Sequence, residues 1–159
     1  MPENTDLEGA THRAQKPTFL TQTHFNSFNL PVEIFNGLKS AGFTHCTPIQ
    51  AQTLSLSLSG RDIAGQAQTG TGKTAAFLIT IFARLVQSLP PKPKLPSALI
   101  VAPTRELAFQ IHDEARVLGQ HTRLRAVQIV GGVDYKKQAD LLRNGVDIVI
   151  CTPRSEEHT

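Results

Sequence analysis

At 159 residues, 40% of them hydrophobic, the chain is long enough to enclose one domain with a real core. Its net charge of +3 permits a nucleic-acid partner without demanding one. No window approaches a membrane span and no apolar signal core opens the chain, so the expected location is cytoplasmic, with no membrane partner.

Residues 1–22 are polar, carry Pro2 and Pro17, and show no sustained periodicity; they are expected to form a flexible tail. From Leu30 the pattern turns helical, with Pro31 suited to the first helical position and Ile34, Phe35, Leu38 and Ala41 on one face before Gly42. Thr47 as N-cap and Pro48 at the first position predict a second helix ending near Gly60. Residues 62–66 read as a short buried strand. After the loop that follows, residues 75–89 are apolar nearly all round, as in a helix buried on more than one side.

Four prolines make residues 90–96 a surface loop. The apolar run 98–102 predicts a buried parallel strand ended by Pro103, and 105–118 a helix. Residues 124–130 read as a strand, 135–143 as a polar helix stopped by Asn144 and Gly145, and 146–151 as a last buried strand. The alternation implies an α/β fold: a three-layer parallel sheet with helices on both faces. Cys46 and Cys151 lie far apart without metal-ligand spacing and are expected to be buried thiols of a reducing compartment.

The stretch Ala67-Gln68-Thr69-Gly70-Thr71-Gly72-Lys73-Thr74 carries the chemistry. It is a P-loop, G-x-x-x-x-G-K-[ST], with Ala67 at the first glycine position. Gly70 and Gly72 allow the backbone to wrap its N–H groups around phosphate oxygens. The next helix adds its N-terminal dipole. Lys73 is placed to reach the β- and γ-phosphates, and the Thr74 hydroxyl to ligate Mg²⁺. The expected ligands are therefore ATP or another nucleoside triphosphate, with Mg²⁺.

Three neighbouring stretches narrow the choice. Gly42-Phe43-Thr44-His45-Cys46-Thr47-Pro48-Ile49-Gln50, with Phe25 upstream, resembles the Q motif of DEAD-box RNA helicases. Pro103-Thr104-Arg105-Glu106-Leu107-Ala108 matches that family's motif Ia, and Gly131-Gly132 resembles its GG motif. Thr152-Pro153 resembles the start of motif Ib, and alanine at position 67 is itself the helicase form of the loop. The resemblance implies a RecA-like domain over residues 23–153. In it Gln50 reads adenine, Phe25 stacks on the base and residues 67–74 hold ATP and Mg²⁺. Pro103, Thr104, Arg105, Gly131, Gly132, Thr152 and Pro153 would line an RNA backbone. An amide suits adenine because it offers a donor and an acceptor together. Taken by residue chemistry alone, Phe25 also fits a core anchor, Gln50 an exposed helix position, and Gly131-Gly132 a plain turn.

The motifs are similar to those of bacterial members, of the kind associated with RNA-degrading complexes, which implies protein partners in RNA processing. The pattern departs at Arg154, where the family continues Gly-Arg, and the Asp-Glu-Ala-Asp motif does not occur. The expectation is a domain incomplete at its C-terminus, with 154–159 foreign to the family and the fragment inactive in hydrolysis by itself. Two alternatives stay open: a non-enzymatic nucleotide- or RNA-binding module, and an unrelated P-loop kinase.

Overall fold

Three apolar runs, Ala98–Val101 (β1), Ala126–Ile129 (β2) and Ile148–Cys151 (β3), pair in parallel in the order β1-β3-β2. They come from a computed structural model of the chain that describes residues 19–88 and 95–153. β3 is central, and its Ile148, Val149 and Ile150 are buried on both faces, which is why it reads as an unbroken apolar run. The expected ends of 124–130 and 146–151 shorten to these four-residue strands.

Among the described residues five α-helices accompany the sheet: Val32–Ser40 (α1), Pro48–Leu58 (α2), Lys73–Gln87 (α3), Arg105–Leu118 (α4) and Tyr135–Arg143 (α5). On one face Ile100, Ile148 and Ile150 meet Ile34 and Leu38 of α1, Leu78 and Phe82 of α3, and Ile111 of α4 in one core. On the other face Val127 and Val149 pack with Leu142 of α5. Helices thus cover both faces of a parallel sheet, as the alternation implies. The second face is only partly covered, because Leu99 and Val101 on β1 remain 65% and 58% exposed. Among the described residues no helix is long and apolar enough to cross a membrane.

Several local expectations are corrected. Residues 62–66 form no strand and are exposed, because no neighbouring strand among the described residues offers them a ladder for their backbone groups. Pro31 is the N-cap of α1, with extended backbone, rather than its first helical residue. α3 begins two residues earlier than its apolar run, at Lys73. Cys46 is buried, and burial pushes its thiol up to about 11; Cys151 is only half-buried. The expected loop at 90–96 and tail at 154–159 fall largely outside the described residues, as does the N-terminal tail up to residue 18. Within the described part of that tail, the Thr21 N–H donates to the Cys46 carbonyl at 2.8 Å.

Burial also marks Glu114 on α4, whose carboxyl it raises above the ordinary value of 4.5. A raised folded-state value means that the native protein holds the proton more tightly than the unfolded chain. Its contribution is fully present below the unfolded value and is lost as pH rises through the folded one. Glu114→Gln is therefore expected to raise the urea midpoint at pH 7 and to leave it nearly unchanged at pH 4. A gain of the same size at both values would contradict this assignment.

Candidate nucleotide site and nucleic-acid interface

The loop before α3 takes its shape from two glycines. Gly70 and Gly72 have φ of +77° and +86°, where a side chain is strained. Gly72 is the N-cap of α3, so Lys73 and Thr74 are the first two helical residues and lie half-buried beside the free N–H groups of the first turn. The Thr71 hydroxyl donates to the Gln68 carbonyl at 2.7 Å and braces the turn. Lys73 Nζ donates across the loop to the Ala67 carbonyl. Ala67 is half-buried, whereas Gln68, Thr69 and Gly70 are exposed.

Gln50 joins this loop to α2. Thr47 caps α2 and forms a capping box with Gln50: the Gln50 N–H donates to Thr47 Oγ1 at 3.5 Å, and the Thr47 N–H donates to Gln50 Oε1 at 2.9 Å. The other end of the amide reaches the P-loop, where Gln50 Nε2 donates to the Gly72 carbonyl at 3.1 Å. The side chain is 0% exposed. It is therefore not an exposed helix residue, and each amide atom has one protein partner. A Cβ at position 72 would overlap Nε2 and come 3.2 Å from Cδ, so the bareness of Gly72 lets the amide approach. The Ser57 and Thr80 hydroxyls, 2.8 Å apart, tie α2 to α3 further along.

Phe25, expected to stack on a base, is 1% exposed. It starts a short 3₁₀ turn, Phe25–Ser27, and packs edge-on against Phe43, with ring centroids 6.2 Å apart. Cys46 N–H donates to the Thr23 carbonyl at 2.7 Å, laying the segment along the strand of chain that leads to Thr47. Phe25 therefore anchors the loop before Gln50 and presents no free face to a ligand.

The remaining sequence candidates collect at one edge of the sheet. Pro103-Thr104-Arg105 follows β1, Thr152-Pro153 follows β3 and Gly131-Gly132 lies just past β2; these are the carboxyl ends of three adjacent parallel strands. That edge is where open α/β sheets bind ligands. The Thr152 N–H donates to the Ile129 carbonyl at 3.2 Å and that of Ala102 to Cys151 at 2.8 Å, which holds the three loops abreast. Thr104 caps α4 by accepting from the Leu107 N–H at 3.2 Å. Pro103, Thr104, Arg105, Gly131, Gly132 and Pro153 are exposed and Thr152 is half-exposed. The Arg105 guanidinium lies over Gly132.

Sequence reasoning passed over two features. The capping box was legible as Thr-Pro-Ile-Gln, a Thr-x-x-Gln signature. Gln138, which bonds the turn after β2, left no local signal.

A glycine-shaped phosphate loop opening a helix, on a parallel sheet covered by helices, defines a RecA-like P-loop domain. The DEAD/DEAH box helicase family model matches residues 47–158, and the chain belongs to that family. It is 55% identical over 137 residues to the ATP-dependent RNA helicase RhlB of Xanthomonas oryzae pv. oryzae, covering 84% of this chain and 24% of that protein. With the RhlB of Pseudoalteromonas atlantica the identity is 51% over 135 residues, covering 85% and 32%. In structure it resembles the RNA helicase Prp28 of Chaetomium thermophilum bound to ADP. The TM-score is 0.74 at 39% identity, over 84% of this chain and 33% of that one. The chain thus spans between about a quarter and a third of these relatives' length.

Proposed function

We propose that the chain is the nucleotide-binding part of an ATP-dependent RNA helicase. The observation that carries this reading is the Gln50 Nε2 to Gly72 carbonyl bond, which couples the candidate base site to the phosphate loop. The residues present suit ATP: Gly70 has open space around it, Gly72 is bare, and the start of α3 offers unpaired N–H donors. Ala67 to Thr74 would enclose the phosphates, with Lys73 exchanging the Ala67 carbonyl for a phosphate oxygen. Gln50 keeps one amide hydrogen and one lone pair for an adenine edge. Thr74 supplies a hard oxygen, which suits Mg²⁺, an ion that keeps water and phosphate as its other ligands. When bound, ATP would supply the phosphoanhydride that a helicase cleaves. The surrounding protein would act in the cytoplasm within an RNA-processing complex.

The three loops at the sheet edge would hold single-stranded RNA by its backbone. Arg105, the α4 N-terminus and the bare Gly131-Gly132 turn suit phosphates and sugars, not base edges, so sequence preference is not expected. Anisotropy of labelled RNA 12-mers tests this. Poly(U) and mixed sequences should bind alike, with affinity falling as salt rises. Binding that depends on sequence, or that ignores salt, would contradict it.

A further inference from the structure

Gln138 sits in the first turn of α5, half-buried, and spends its whole amide on the turn between β2 and α5. Its Oε1 accepts from the Val130 N–H at 2.8 Å. Its Nε2 donates to the Val130 carbonyl at 3.2 Å and to the Val133 carbonyl at 3.3 Å. Three bonds from one side chain thus grip both ends of the Gly131-Gly132 turn. Within the turn Gly132 has φ +77°. A Cβ there would overlap Arg105 Nη2 and stand 3.0 Å from Nη1 and 3.1 Å from Cζ. Arg105 itself is exposed, and among the described residues no carboxylate or carbonyl accepts from its guanidinium.

We propose that Gln138 is a positioning residue for RNA binding: by fixing the 130–133 turn it keeps Gly132 bare beneath Arg105 and so aims the guanidinium at an RNA phosphate. Two parts of the sequence that carry no common motif, the 103–108 hexapeptide and the polar helix α5, become one device. Gly132 is needed there for two reasons, its left-handed backbone and its missing side chain. The inference rests on the RNA reading above.

The test is RNA affinity of the whole chain in a double-mutant cycle of Gln138→Ala and Arg105→Ala, followed across a salt series. Loss of one aimed charge-assisted contact is expected to weaken RNA binding about tenfold for Gln138→Ala. The slope of log affinity against log salt should shrink by about 0.7, one phosphate contact on a single strand. In the Arg105→Ala background Gln138→Ala should change neither. Gly132→Asn approaches the same device without touching α5, and asparagine tolerates positive φ, so it isolates the added side chain from backbone strain. It too should weaken binding only while Arg105 is present, which decides the matter should Gln138→Ala unfold the chain. Equal losses in both backgrounds, or Gln138→Ala at full affinity while Arg105→Ala is weakened, would overturn the positioning role alone. Full affinity in Arg105→Ala would overturn the RNA reading of this edge and the inference with it.

Discussion

Lys73→Ala is expected to weaken Mg-ATP binding by about 10- to 100-fold, the range of one or two charge-assisted bonds to phosphate. Carried into a full-length helicase at the matching position, the same change should abolish ATP turnover. The fold should be spared. Lys73 is half-buried at the start of α3, its ammonium bonds the Ala67 carbonyl and no other group among the described residues, and alanine is the better helix former. Calorimetric titration paired with a thermal melt separates the two effects. Unchanged affinity would sink the assignment of residues 67–74, whatever the melt shows.

Gly37→Ala tests the architecture, and here the sign alone decides. Alanine in a helix interior normally stabilises by about 1 kcal/mol over glycine. Gly37 is buried where α1 crosses the end of α4, and a Cβ there would overlap the Leu118 carbonyl oxygen and lie 2.9 Å from its carbon. Backbone cannot swing aside as a flexible side chain does, so α1 must lift away from α4. The cost is expected to be about 3 kcal/mol or more in urea unfolding, a large part of a small domain's stability. A neutral or stabilising result would mean that the two helices do not meet at this point.

The parts of this fold that could be read in advance are those governed by neighbours in sequence. α4 and α5 run over the residues their apolar spacing and stop signals indicate, and Thr47 caps α2 because Pro48 and the following apolar positions leave it no other role. The P-loop glycines take the positive φ that phosphate wrapping requires. What stayed hidden depends on residues distant in the chain. Residues 62–66 have strand composition, but a strand exists only with a partner, and composition does not report one. Phe25 is aromatic at the spacing of a base-stacking residue, yet its contact with Phe43 settles where its ring goes. Gln50 was legible as important, but its bond to Gly72 crosses 22 positions of sequence. The Arg105–Gly132 contact and the grip of Gln138 are likewise products of the sheet order, which brings the ends of β1 and β2 to either side of β3.

On the proposed reading, Gln50 and the loop of residues 67–74 form one adenine-nucleotide site. Titration of the chain with Mg-ATP and with Mg-GTP tests it most directly. ATP should bind and GTP should bind at least about tenfold more weakly, because the remaining donor and acceptor of the Gln50 amide fit the adenine edge. Equal affinities, or no binding of either, would contradict it.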